Sequence, residues 1–235
     1  MDPAPGAYWQ VPYLPIDPQD IGRTYKAIIR INSQSGKGGV AFIMEREFGL
    51  ELPKRMSPEF SAVINTIADE GSKELQPEEI REAFYKEYLN LSIPLSLDSY
   101  KISTPADDHR HIKFSAEIVY RGKSKSIEGK CNGPIAAFVD GLDQAGLKGF
   151  HLTDFRQHAI TKGSAAEAIA YIEIQMEKSQ QFFWGASIDG NIELAGLKAL
   201  VSARNRAWAA ETPDIETAAS PAAKATTTGA GITGR

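Results

Sequence analysis

His109-Arg110-His111 sets two imidazoles on one side of any extended strand, where they could share a metal ion. The preceding Ala106-Asp107-Asp108 reads as an exposed turn with no further ligand recognisable nearby, so a solvated loop is the better reading. Gly36-Lys37-Gly38-Gly39 resembles a phosphate loop. Such a loop also needs a glycine five positions before Gly36 and a Ser or Thr after the lysine. Ile31 and Gly38 stand there instead, which leaves a tight turn into a helix. Glu78 and Glu79 are paired carboxylates, but after Pro77 they sit at the positive end of a helix, where acidic side chains are stabilising without any reaction. Cys131 is the only cysteine, which rules out an intrachain disulfide and a cysteine-based metal site. It sits at a strand end, and no nucleophile elbow frames a Ser-His-Asp or Cys-His arrangement. The sequence shows no catalytic constellation of its own.

One stretch offers binding instead of catalysis. Lys130-Cys131-Asn132-Gly133-Pro134-Ile135-Ala136-Ala137-Phe138 reads as a strand that ends, turns and starts a helix. Pro134 suits the first helical position, Gly133 permits close backbone approach, and Asn132 is expected to accept from amides of the first turn. A helix start among small residues is a natural dock for a carboxylate.

The elements that must position this turn follow from periodicity. Residues 1–36 form a proline-rich extended arm carrying Tyr8, Trp9 and Tyr13. Three helices are expected in residues 37–95. The first runs through Val40, Phe42, Ile43, Met44 and Phe48; the second starts at Ser57-Pro58-Glu59 with Phe60, Val63, Ile64 and Ile67 on one face; the third starts at Pro77 with Ile80, Phe84 and Tyr88 inward. From about residue 98 the period becomes two. Strands are expected at Ser99–Thr104, Ile112–Tyr120 and Ser124–Lys130, then a helix from Pro134 that Gly146 can end. The order repeats: Gly149–Ala159, Ala165–Glu177 with Ala168, Ala170, Ile172, Ile174 and Met176 on one face, a strand holding Phe182, Trp184, Ala186 and Ile188, and a helix after Asp189-Gly190-Asn191. The fold class is therefore α+β: a small helical subdomain followed by a duplicated βββα domain, with units at about 98–147 and 148–209. Each unit leaves a sheet face partly bare, so a homodimer is expected, with a crevice where the two turns meet. Residues 210–235 are rich in Ala and Thr and are read as a disordered tail.

Composition narrows the partners. Apolar residues make up 42% and charged residues 24%, as in a globular protein, and the net charge is −4. Nothing in that balance points to nucleic acid or a membrane surface. Met1–Gln10 lacks the apolar core of a signal peptide, and no apolar run approaches the ~20 residues of a membrane span. A cytoplasmic protein is expected.

Val11-Pro12-Tyr13-Leu14-Pro15-Ile16-Asp17-Pro18, Gly22-Arg23-Thr24-Tyr25 and Ile31-Asn32-Ser33-Gln34-Ser35-Gly36-Lys37-Gly38-Gly39-Val40-Ala41 strongly resemble the 2-isopropylmalate synthase family in its longer bacterial type. The likeness continues through Asn132–Phe138, His158-Ala159, Trp184-Gly185 and Val201-Ser202-Ala203, so it covers nearly all of residues 8–208. In that family a (β/α)8 barrel condenses acetyl-CoA with 2-oxoisovalerate using a divalent metal. A linker follows, and then a duplicated domain that dimerises and binds leucine as feedback inhibitor. The resemblance implies that this chain carries the linker's end and the regulatory domain, with no cofactor of its own. The barrel, its metal and its catalytic base would be absent, leaving the chain inactive alone or partnered by a separate barrel-bearing chain. The other readings are a free-standing branched-chain amino-acid sensor and the related citramalate synthase, whose similar domain answers to isoleucine.

By the same resemblance, Tyr13 matches a linker tyrosine that reaches toward the barrel's active site. The leucine pocket falls on Asn132, Gly133, Ile135, Ala136, Leu152, Phe155, Ala159, Ala166, Ala168 and Ile192. Those residue types suit an isobutyl group, since the alanines leave room and Ile135, Leu152 and Ile192 give apolar walls. Two positions depart from the family: Cys131, where glycine is frequent, and Phe155, where tyrosine is common.

Overall fold

Apolar residues that recur every third and fourth position build the first part of the chain into helices, and the switch to alternation builds the rest into strands. The computed structural model describes residues 37–71, 74–105, 108, 110–161 and 166–211. The N-terminal arm with Tyr13, His109, Ala165 and residues 212–235 lie outside the described residues. Five helices and six strands are found among the described residues.

Helices α1 (Lys37–Phe48), α2 (Met56–Gly71) and α3 (Pro77–Tyr88) form the helical unit. In α2 the buried stripe is Met56, Phe60, Ile64 and Ala68, a strict four-residue series. The helix therefore begins just ahead of Ser57-Pro58, and Ile67, expected on the inner face, is exposed. Phe42 of α1 is exposed as well, with the Arg46 guanidinium 5.7 Å from its ring centre. At the start of α3 a capping box joins Gln76 and Glu79.

Strands β1 (Leu95–Ser103), β2 (Ile112–Tyr120) and β3 (Lys123–Cys131) make one antiparallel sheet, followed by α4 (Pro134–Gln144). Strands β4 (Phe150–Ala159), β5 (Ala168–Met176) and β6 (Phe182–Asp189) make a second, followed by α5 (Ile192–Glu211). The two units share even an irregularity. Pairing slips between Leu97 and Ser99 in β1 and between Leu152 and Asp154 in β4, at the same depth in each sheet. A bulge is a specified feature, so its recurrence is strong evidence of duplication. Each unit also has a glycine on its third strand that the following helix nearly touches. A Cβ on Gly129 would lie 1.9 Å from the Ala137 carbonyl oxygen, and one on Gly185 2.1 Å from the Ala203 nitrogen.

One core joins the inner faces of both sheets with α4 and α5, and holds Phe114, Ile118, Phe138, Ile172, Ile174 and Leu200. A second core corrects the expected bare face. Ile169, Tyr171, Trp184 and Ala186, on the opposite face of the second sheet, are covered within the chain by Val40, Met44, Phe60, Phe84 and Tyr88 of the helical unit. Strand β5 is thus buried on both faces, where alternation had assigned it one. The outer face of the first sheet stays polar, with Lys113, Glu117, Ser126 and Glu128. Helix α5 runs on to Glu211, past the point where the tail was expected to begin.

Candidate functional site

The two helix starts face each other across the duplication, and they are built differently. Helix α4 begins at Pro134, which leaves Gly133 as the N-cap, and no side chain caps it. The expectation that Asn132 would do so is corrected. With proline at the first helical position the residue before it is the cap, one place beyond Asn132. Asn132 is exposed, and its side-chain carbonyl oxygen accepts from the Cys131 thiol at 3.6 Å. The first intrahelical bond is donated by Ala137 to the Gly133 carbonyl at 2.9 Å, so the N–H groups of Ile135 and Ala136 precede it.

Helix α5 satisfies its own start. The Asn191 side-chain oxygen accepts from the amides of Glu193 (2.9 Å) and Leu194 (3.2 Å). Asp189 accepts from the Asn191 amide at 2.9 Å and pairs with the Lys198 ammonium at 2.7 Å. Partial burial raises the Asp189 pKa, but hydrogen bonds from Lys198 and the Asn191 and Gly190 amides outweigh it and hold the carboxyl below its ordinary value.

The first strand of each unit sends an aromatic ring to the start of the other unit's helix. Tyr100 follows the bulge in β1, and its hydroxyl accepts from the Asn191 side-chain amide at 3.2 Å. Phe155 follows the bulge in β4 and, like Ile135 of α4, borders Gly196 of α5. A Cβ on Gly196 would lie 3.1 Å from the Ile135 terminal methyl and 3.5 Å from the Phe155 ring. These crossed contacts are those of a pseudo-twofold.

The structure therefore brings together Ile135, Phe155 and Gly196, with Ile192 one turn earlier on the same side of α5 and Asn132, Gly133 and Ala136 beside Ile135. Ala159 and Ala168 are direct cross-strand partners, as are Leu152 and Ile174. Leu152, Phe155 and Ala159 run along one face of β4 and reach over roughly 20 Å at ~3.3 Å per residue, longer than one small ligand. Ala166 lies before the start of β5, outside that line. The apolar lining is partly open: Leu152 and Phe155 are each 37% exposed and Ile192 is 48%. Gly196, Tyr100 and Asn191 were not singled out in the sequence. A glycine inside a helical run, which costs ~1 kcal/mol relative to alanine, was the available signal for Gly196.

Elsewhere several titratable groups have partners of their own. Asp108 bonds the Lys130 ammonium at 2.8 Å and the His111 ring at 3.0 Å, and these partners, Lys130 foremost, hold its pKa down to about 2. His158 lies 3.1 Å from the Gly49 carbonyl oxygen and its ring stacks on Tyr171. His151 reaches Glu177 at 3.3 Å. Among the described residues no group of three or more His, Cys, Asp or Glu side chains is placed to hold a metal ion. No helix among them is long and apolar enough to cross a membrane.

Duplicated βββα units backed by a three-helix unit define an α+β module. Residues 74–208 match the family described as the LeuA allosteric (dimerisation) domain, and the chain belongs to it. Residues 1–45 match the alpha-isopropylmalate synthase, post-catalytic domain-like family. Proteins named 2-isopropylmalate synthase are similar to it. One from Mycobacterium leprae is 44% identical over 199 residues, covering 85% of this chain and 32% of the relative. Those from Clostridium acetobutylicum (44%) and Brucella suis biovar 1 (46%) align over 202 residues, with 85% and 84% of this chain and 36% of each relative. The chain thus spans about a third of the length of the curated relatives it matches.

Proposed function

We propose that this chain is the regulatory part of a 2-isopropylmalate synthase, which binds leucine at the α4 start and pairs as a homodimer. The full enzyme's condensation of acetyl-CoA with 2-oxoisovalerate belongs, on this reading, to a barrel on the same or another chain. The observation that carries the reading is the uncapped start of α4 beside an apolar cluster with a glycine at its centre. The amides of Ile135 and Ala136 and the positive end of the helix suit a carboxylate, and the Asn132 side chain is free of the capping duty expected of it. Ile135, Phe155 and Ile192 offer an isobutyl group a wall, and the partly open apolar face of β4 suits a second copy of the chain.

Calorimetry and thermal shift with leucine, isoleucine and valine on the full chain test the ligand. Leucine at a hundred times its Kd should stabilise by ~2.7 kcal/mol, which moves the midpoint by roughly 5–10 °C for a chain of this size. Gly133→Trp is the matched control. A side chain on Gly133 meets open space and its φ of −161° is extended backbone, so the fold should tolerate the ring. The variant should keep the dimer in sedimentation and lose the leucine shift; an unchanged shift removes the turn from the site. A larger response to isoleucine than to leucine would overturn the choice of ligand.

A further inference from the structure

The ligand site leaves Ser202 unused, although Val201-Ser202-Ala203 is among the segments that carry the family resemblance, and Ser202 opens a polar face on the last turns of α5. Ser202, Asn205 and Arg206 stand at i, i+3 and i+4, a spacing that puts them on one side of the helix. All three reach the segment joining the helical unit to the duplicated module. The Ser202 hydroxyl donates to the Tyr88 carbonyl at 2.6 Å and accepts from the Leu91 amide at 3.2 Å. The Asn205 side chain accepts from the Leu95 amide at 2.9 Å and donates to the carbonyls of Leu91 (2.9 Å) and Leu95 (2.8 Å). Ser202 and Asn205 are buried, so these bonds satisfy backbone groups that water does not reach easily.

Arg206 extends the grip to the helices themselves. Its guanidinium reaches Glu87 of α3 at 2.7 Å and Glu59 of α2 at 2.9 Å, donates to the Trp184 carbonyl at 2.8 Å, and lies 4.1 Å over the Tyr88 ring. The same helix begins at Ile192, and its Gly196 lies against Ile135 and Phe155. From Ile192 to Arg206 is roughly 21 Å at ~1.5 Å per residue, one unbroken helix.

We propose that α5 is a rigid tie whose last turns make the helical unit open together with the module, so that ligand at its first turn is felt in α3 as slower opening. The ligand half of this rests on the leucine reading above. A side chain buried with several bonds to main chain has no alternative partner, so the segment cannot leave α5 without orphaning those groups. Ligand that quiets one end of such a unit quiets the other without any change of shape.

Native-state hydrogen exchange on the full chain tests both halves. Without ligand, Asn205→Ala should speed exchange of the amides in α3 and residues 89–95 by about tenfold or more, with α4, β2 and β3 unchanged. Exchange in α3 that stays at the parent rate overturns the tie. If Asn205→Ala does not fold, Ser202→Ala with Arg206→Lys makes the same comparison. With saturating leucine, the parent should slow in α5 and α3, and the variant in α5 alone at unchanged calorimetric affinity. Equal slowing of α3 in both chains overturns the coupling. No heat with leucine in the parent sinks the ligand reading and the coupling to it, while the ligand-free arm still decides the tie.

Discussion

The two βββα units share strand order, bulge and close helix approach, yet at matched positions one carries large side chains and the other small ones. The fifth residue of α4 is Phe138 and the fifth of α5 is Gly196. On the middle strands Phe114 opposes Ile102, two residues past Tyr100, while Ala170 opposes Gln157, two past Phe155. Three rings therefore pack in series in the first unit, Tyr100 stacked on Phe114 with centroids at 6.0 Å and Phe138 tilted against Phe114 at 5.3 Å. The second unit has Phe155 and small residues at that level. The helix starts differ in the opposite sense. Asn191 and Asp189 complete α5, where Gly133 and Cys131 leave α4 open. Duplication supplied two copies of one frame, and the divergence is complementary. The uncapped helix start of the first unit thus lies beside small and apolar residues of the second, a combination that neither unit has alone.

The close approach of helix to third strand, made at Gly129 in one unit and two places out of register at Gly185 in the other, should be the most costly feature to disturb. Gly129→Ala and Gly185→Ala each drive a methyl into the backbone of the facing helix, so each should cost more than ~4 kcal/mol or prevent folding. A mild effect at one glycine and not the other, measured by urea denaturation, breaks the claim that both units use the same approach.

Next come the positions that separate them. Phe138→Ala empties a packed level and should cost ~3–5 kcal/mol. Its counterpart, Gly196→Ala, adds a methyl against the movable end of Ile135 and should change stability by no more than ~1 kcal/mol, while weakening the leucine response. The caps give a smaller contrast. Asn191→Ala should lose ~1 kcal/mol, whereas Asn132→Ala, which removes no cap, should stay within ~0.5 kcal/mol. Equal losses in thermal melts would show the α4 start to be capped after all.

The smallest effect is one of pH. The Asp189 carboxyl is held below its ordinary value in the folded chain, so its contribution is present above the unfolded value of ~3.9 and is lost as pH falls through the lower folded value. Asp189→Asn should flatten stability against pH in that acid range and leave it unchanged in slope near neutrality. A parent and variant with parallel acid limbs would remove the Asp189–Lys198 pair from the account.

Periodicity made most of the elements legible, because a helix stripe or an alternating strand is written in neighbouring residues. Ile80, Phe84 and Tyr88 are read and found on one buried face of α3. Strand β5 shows where that reading ends. Ala168, Ala170 and Ile172 mark its inner face, but Ile169 and Tyr171 are apolar too, and only the tertiary position of the helical unit says what covers them. Of the site, the α4 turn was visible as a chemical pattern. The crossing of Phe155 onto Gly196 was not, because it depends on two units meeting about a pseudo-twofold that no local run encodes. Asn132 was assigned a cap that proline at the next-but-one position gives to Gly133, a rule of helix geometry legible in the sequence itself.

The cover over β5 also sets how small a working piece of this protein can be. A cut near residue 95 detaches α1–α3 and strips Ile169, Tyr171, Trp184 and Ala186 at once, leaving an oily panel on the middle of a sheet. Such a fragment would clump, although both repeats survive in it intact. The portable block, for grafting onto another protein or for expression alone, is the pair of repeats together with its helical cover.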